Sequence, residues 1–457
     1  VEDLFNPSSV ALVGVRGEQL SVGFNALLNL VHHSYQGRIY PVTPRHEELL
    51  GMPCYPDLAS LPEVPDLVMI LVNHRRAVDV LEACGSMGIK NAVIVAGGYK
   101  EYGEGRELEV RIKGICQKYG IRLVGPNTLG FANVKGGVWP FFWHMKTKPG
   151  SVALLSQSGG VGLTVAHLLY EEGVGLSKWI GVGNRTVLEF ADYMEYLVTD
   201  HETRTVGLFV EGTEDGRRFF QASRRLAAVK PVAVYKVGEA EEVDRAAQTH
   251  TGSLAGSKSV YSGAFRQAGV VEASSPRELA IALKSLDMLP LPGGNRLCLL
   301  TFTAGPSIVA MDKLLSLGWK IPSLSDGARE EIYRIIGEKT PVDIDNPVDM
   351  TGPGFLPEVY APVARLLLKE PFDAYLFFWG FNPNVRIPVE ELLILKGDTK
   401  KPVVMVLLGV GSREVEEERE RLQERGIPVF STPEDGARAL GFLLARRRLM
   451  EVRGWLT

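Results

Sequence analysis

The sequence predicts an α/β protein built from doubly wound parallel sheets, and three observations carry that expectation. Short apolar runs recur along the 457 residues, each followed by Gly or Pro and then by a longer amphipathic stretch. Runs so uniformly apolar suit strands covered on both faces, and their alternation with helical stretches gives repeated βαβ units. The third observation is an internal duplication in the later two-thirds of the chain. A composition of 45% hydrophobic and 23% charged residues fits a globular chain with cores to bury.

Taken in order, residues 10–13, 67–72, 92–95 and 121–124 read as strands of a first sheet, with a second strand ending at Tyr40-Pro41-Val42. Residues 152–155, 206–210 and 232–235 supply a second sheet, and 297–301, 374–378 and 403–408 a third. Residues 278–289 and 415–424 have helical spacing. Pro- and Gly-rich seams at 146–150 and 289–295 divide the chain into domains 1–146, 147–291 and 292–457.

The duplication relates the last two domains. Leu154-Leu155-Ser156-Gln157-Ser158-Gly159-Gly160 resembles Leu299-Leu300-Thr301-Phe302-Thr303-Ala304-Gly305 at an offset of 145, which Gly173 and Gly318 keep. Lys230-Pro231-Val232 matches Lys401-Pro402-Val403 at 171, and Gly269 matches Gly426 at 157. Ser275-Pro276 and Thr432-Pro433 continue that last offset. The drop from 171 to 157 leaves the first copy 14 extra residues, and they include Thr249-His250-Thr251-Gly252-Ser253-Leu254-Ala255-Gly256. A loop added to one copy of a rigid frame is a candidate for function.

Charge and cysteine usage narrow the function. A net charge of −4 and a pI near 6.2 give no basic field for nucleic acid. Cys54, Cys84, Cys116 and Cys298 lie far apart without a C-x-x-C pair, which suits a reducing cytoplasm. The apolar runs are too short to span a bilayer, and residues 1–7 lack the pattern of a signal peptide. The histidines show no metal-ligand spacing, so no metal site is expected.

Three segments carry candidate chemistry. Gly14-Val15-Arg16-Gly17 follows the first strand and precedes a helix expected from about Gly23, a geometry that brings backbone N–H groups to a phosphate. An NAD site wants an acidic residue after the second strand; here Thr43-Pro44-Arg45 stands instead, and Arg45 suits an extra phosphate, as on coenzyme A. Gly125-Pro126-Asn127 follows another strand and is expected to line the same cleft. Ser156, Ser158, Gly159 and Gly160 form a phosphate cradle between a strand and a helix N-terminus, and Thr303, Ala304 and Gly305 are its twin. His250 is a candidate phosphoryl carrier, since a neutral imidazole is nucleophilic near pH 7. Glu211, ending the strand 206–210, is the candidate carboxylate to steady its imidazolium. The aromatic run Trp139-Pro140-Phe141-Phe142-Trp143 is expected to pack the first seam, with an acyl-pocket wall as the alternative use.

These motifs resemble the α subunit of nucleoside-diphosphate-forming acyl-CoA synthetases, the ADP-forming acetyl-CoA synthetase group related to succinyl-CoA synthetase. The resemblance rests on Asn6-Pro7, Gly125-Pro126-Asn127, Leu155-Ser156-Gln157-Ser158-Gly159, Val210-Glu211-Gly212, the His250 motif and Asn346-Pro347-Val348-Asp349. It implies a Rossmann-like CoA-binding domain followed by two flavodoxin-like domains. It implies that phosphate attacks an acyl-CoA, that His250 takes the phosphoryl group from the acyl phosphate, and that Glu211 supports it. It further implies an ATP-grasp β subunit, as in an α2β2 assembly, holding ADP or ATP with Mg²⁺. The chain departs from the family pattern at Val15-Arg16, where Ala-Ser is usual, and at Thr128, where Cys is usual. Phe302 and Ser307 stand where Asn and Gly are common. Two readings compete with the enzyme: a CoA or acyl-CoA sensor without turnover, and an NAD-dependent dehydrogenase, which the missing acidic residue disfavours.

Overall fold

The computed structural model describes residues 1–101, 105–238, 257–337, 343–380, 387–397, 399–409 and 413–455. The chain divides into two compact units, Val1–Leu279 and Ala280–Thr457. No helix among the described residues is long and apolar enough to cross a membrane.

The first unit holds two sheets. In the first, five parallel strands lie in the order Arg38–Val42, Ser9–Val13, Leu67–Ile70, Asn91–Ile94, Arg122–Val124. A parallel bridge from Val42 to Tyr55 adds the remnant of a further strand beyond Arg38–Val42. With that remnant counted, the order follows the Rossmann pattern. Pro41 is tolerated because its strand is at the edge, and its carbonyl accepts from Tyr55 N. Val10, Leu12, Val68, Met69, Ile70, Val93 and Ile94 are wholly buried. Each such side chain contributes about 1.5–3 kcal/mol relative to exposure.

In the second sheet the parallel strands are Leu176–Gly181, Pro149–Ser156, Thr205–Val210, Val232–Lys236 and Val271–Ala273. In the second unit they are Val348–Asp349, Leu297–Thr301, Ala374–Gly380, Val403–Leu408 and Val429–Phe430. Both sheets read 2-1-3-4-5, the flavodoxin-like order, so the duplication in sequence is a duplication of topology. The matched glycines follow matched helices in the left-handed region, at φ +74° and +89° for Gly173 and Gly318 and +79° and +84° for Gly269 and Gly426. Glycine takes that conformation without the steric penalty a Cβ brings.

The first seam is tighter than the sequence suggested. Pro149 and Gly150 already belong to the strand Pro149–Ser156. Gly150 is needed for contact rather than flexibility, since a Cβ there would lie 2.3 Å from the backbone of Gly175. Phe131–Asn133, within the range drawn for the first domain, pairs antiparallel with Leu176–Gly181 and joins the second sheet. The aromatic run does pack this region: Trp139 and Phe141 are buried, and Phe141 meets Trp179 edge-on at 4.9 Å.

Candidate active site

The described residues of the first unit form a larger and a smaller cavity at the carboxyl ends of its strands. The larger, about 620 Å³, is walled by the turns after Ser9–Val13, Arg38–Val42 and Leu67–Ile70 and by one face of the helix His74–Ser86. Gly14, Val15, Arg16, Thr43 and Arg45 line it as expected. Gly14 adopts φ +99°, and a Cβ there would stand 2.7 Å from Val72 Cγ1, so only glycine lets the turn cross the neighbouring strand end. Gly17 is outside the lining; its N–H donates to His46 Nε2 at 3.2 Å and closes the loop behind Arg16. The helix start at Val22 is also outside the lining. Arg76 is a lining cation that sequence reasoning missed, because it comes from a helix far along the chain. Arg16, Arg45 and Arg76 thus stand against two lining carboxylates, Asp57 and Asp79. Asp57 is committed locally, accepting from Ser60 N at 2.9 Å. Three guanidinium groups beside an apolar wall of Val13, Val15, Val42 and Leu58 fit a polyphosphorylated adenosine, the chemistry of coenzyme A.

The smaller cavity, about 160 Å³, lies where the first sheet's loops meet the cradle of the second. Asn127, expected in the CoA cleft, lines this one together with Gly159 of the cradle. Thr128, where the resemblance leads one to expect Cys, donates from Oγ1 to Gly181 O at 2.6 Å and accepts from Gly130 N at 3.0 Å. It pins the Asn127 loop to the second sheet.

In the cradle, Ser156 is buried and its Oγ donates to Ser158 O at 2.6 Å, setting the turn into the helix Gly159–Glu171. Ser158 Oγ then accepts from Val161 N at 3.4 Å as the cap. Gly160 faces open space, so its backbone is approachable. Gln157 makes the link to the acidic candidate. Its Oε1 accepts from the backbone N–H groups of Glu211 at 3.0 Å and Gly212 at 3.2 Å. The buried Arg185 holds the same turn from its other end, its Nη1 donating to Gly212 O at 2.7 Å. Glu211 therefore sits on a backbone fixed to the cradle. Gln157 was absent from the expected site, since its role depends on the sheet register that sets Ser156 opposite Phe209.

A polar network fastens the first sheet's loops to this turn. Lys100 Nζ donates to Glu214 Oε1 at 2.6 Å and to Asn184 O at 2.7 Å, and lies 3.7 Å from Glu109. Burial pushes the Glu214 carboxyl up, but the Lys100 ammonium outweighs it and holds the group below its usual range. Asn184 donates to Glu101 at 2.7 Å and accepts from Asn127 Nδ2 at 3.3 Å.

In the second unit, Thr301 Oγ1 donates to Thr303 O at 2.6 Å, the counterpart of the Ser156 bond, and the helix Ala304–Ser316 follows. Thr303 provides no side-chain cap, and Gly305 faces open space. His250 and its motif lie outside the described residues.

Comparison with known proteins covers almost the whole chain. Residues 8–133 match the family model described as a CoA binding domain, and residues 149–286 match the succinyl-CoA ligase like flavodoxin domain. The chain is 35% identical to the α subunit of acetate–CoA ligase [ADP-forming] II of Pyrococcus furiosus, over 95% of both chains. It is 34% identical to acetate–CoA ligase [ADP-forming] I of Archaeoglobus fulgidus, over 97% of this chain but 63% of that longer protein. Among solved structures, the dinucleotide forming acetyl-coenzyme A synthetase 1 of Ca. Korarchaeum cryptofilum, in complex with phosphate and ADP, superposes with a TM-score of 0.90. That chain is 30% identical, with 100% of this chain and 99% of that one covered.

Proposed function

The chain belongs to the family of ADP-forming acetate–CoA ligase α subunits, and from that premise we propose that it passes a phosphoryl group from an acyl phosphate to His250. The reaction interconverts acyl-CoA, ADP and phosphate with a free acid, CoA and ATP. Bound acyl-CoA supplies the thioester; phosphate attacks its carbonyl carbon, the C–S bond breaks, and CoA leaves as the thiol. Arg16, Arg45 and Arg76, with the backbone of the Gly14 turn, hold its phosphates. The cradle Ser156–Ser158–Gly159–Gly160 holds inorganic phosphate and then the acyl phosphate. The His250 imidazole attacks phosphorus, the P–O bond to the acyl group breaks, and the carboxylate leaves. Glu211 accepts from the imidazole and stabilises its cationic product. Thr303, Ala304 and Gly305, in the second unit, form a further candidate phosphate cradle of their own. His250 then passes it to ADP, bound with Mg²⁺ on an ATP-grasp β subunit, in an assembly such as α2β2 in the cytoplasm.

One observation carries this reading: Gln157 ties the Glu211–Gly212 backbone to the phosphate cradle, in the copy whose sequence also has the histidine insertion. The test is to incubate the purified chain with phosphate and acetyl-CoA and to map acid-labile phosphate by mass spectrometry. The expected result is modification at His250, absent in His250→Ala. No phosphate on the chain, with or without an ATP-grasp partner and ATP, contradicts it and leaves a CoA sensor.

A further inference from the structure

The 160 Å³ cavity between the Asn127 loop and the cradle has a lining that the phosphoryl transfer does not account for. Val95, Leu129 and Phe142 give it an apolar side; Asn127, Gln157 and Gly159 give it a polar one. Of the aromatic run, Phe142 alone belongs to this wall; Trp139 and Phe141 are buried elsewhere and Trp143 is exposed. Gly159 keeps the space tight, since a Cβ there would lie 2.8 Å from Leu129.

Gln157 makes the cavity more than a packing gap. It is only 9% exposed, and both N–H groups of the Glu211–Gly212 turn donate to its Oε1. That assignment fixes the amide, and among the described residues no group accepts from its Nε2. An NH₂ group with no acceptor among the described residues, on a side chain so little exposed, is available to donate to a ligand oxygen. The ligand it asks for has one acceptor oxygen and a small apolar body, and it meets the phosphate cradle at Gly159.

We propose that this cavity is the acyl subsite, with the acyl carbonyl oxygen accepting from Gln157 Nε2 and the hydrocarbon lying against Phe142, Leu129 and Val95. The inference rests on the proposed function. In the step it serves, a phosphate oxygen bonds to the carbonyl carbon and the C–S bond breaks. The thiol leaves with the proton that phosphate loses, and Gln157 holds the oxygen on which charge gathers. Size sets the substrate class. A volume of about 160 Å³ is close to that which holds a benzene-sized guest, so the subsite favours small acyl groups. Phe142 walls the apolar side and disfavours extended aryl or medium-chain acyl groups.

The experiment measures phosphohistidine formation from phosphate with acetyl-, isobutyryl-, phenylacetyl- and octanoyl-CoA. The wild-type chain is expected to use the first two. Phe142→Ala should raise kcat/KM for the larger pair relative to acetyl-CoA by about 10–200-fold, the discrimination that one methylene in a hydrophobic pocket gives. Phe142→Trp should move the ratio the other way, which a loss of folding cannot imitate. Gln157→Ala should lower kcat with every acyl group by about 10²–10³, the usual loss for one oxyanion donor, with KM little changed. If the wild-type chain is active and neither Phe142 variant changes the ratio by more than about twofold, the acyl subsite is overturned. If the wild-type chain forms no phosphohistidine with any acyl-CoA, the underlying phosphoryl-transfer reading fails instead.

Discussion

The two flavodoxin-like sheets share strand order, cradle turn and C-capping glycines, yet differ where the strands end. Register makes the comparison residue by residue: Leu155 pairs with Leu208 in one, and its counterpart Leu300 with Phe377 in the other. Continued along the strands, this sets Gln157 against Phe302, Glu211 against Gly380, and Lys236 against Leu407. In the first copy an amide binds the turn that carries a carboxylate. In the second, Phe302 packs onto Gly380, where a Cβ would lie 2.5 Å from its ring, and meets the Phe355 ring at a tilt, 4.6 Å away. The scaffold needs neither solution, since both copies fold. What differs between them is therefore a map of what one copy does beyond folding.

The largest expected effect breaks the carboxylate. Glu211→Gln should slow His250 phosphorylation by about 10²–10⁴, the span for a lost acid–base partner, with CoA binding kept. An equal rate would detach Glu211 from the histidine. Next, Gln157→Phe makes the first cradle like its twin and should cost at least about 10²-fold in kcat, measured by the same assay with circular dichroism showing the fold intact. Lys236 is buried at the strand end beside Val210, its ammonium 4.9 Å over the ring of Tyr261, whose hydroxyl accepts from Thr213 N at 3.1 Å. Lys236→Leu, again the twin's residue, removes a buried cation–π contact of up to about 2 kcal/mol and should slow the reaction roughly tenfold. On the other side of the comparison, Gly380→Ala should lower stability by about 1–3 kcal/mol through overpacking against Phe302, read as a shifted denaturant midpoint.

The smallest effect lies away from both cradles. His33 stacks on Trp139 at 3.6 Å, and burial, then the neighbouring His32 and His144, lowers its pKa to about 4. The unfolded chain takes that proton near 6.5 and the native chain only near 4. Stability should therefore fall as pH drops through that interval, and His33→Phe should flatten the slope while keeping the stack.

Much of this was legible in the residues, and the remainder was hidden for definite reasons. The ten apolar runs each proved to contain a strand, because burial on both faces leaves an unbroken apolar signal. Leu176–Gly181 escaped notice because it contains Lys178, buried at 1% exposure and satisfied by Asp200 at 3.0 Å and Glu202 at 3.1 Å. Phe131–Asn133 is too short to announce itself and gains its place only by pairing across the seam. In the site, turn residues such as Gly14, Ser156 and Ser158 declare themselves by local chemistry. Arg76 and the clamp from Gln157 to Glu211 do not, since each is assembled from segments well separated in the chain.

The most direct test of the claim that chemistry belongs to the first copy is a single-turnover measurement. The chain is mixed with acetyl-CoA and labelled phosphate, quenched in alkali, and its label assigned to peptides. The account predicts label on His250 alone, formed rapidly in the wild-type chain and at least about 10²-fold more slowly in Glu211→Gln. Label elsewhere, or on His250 at an unchanged rate in Glu211→Gln, would contradict it.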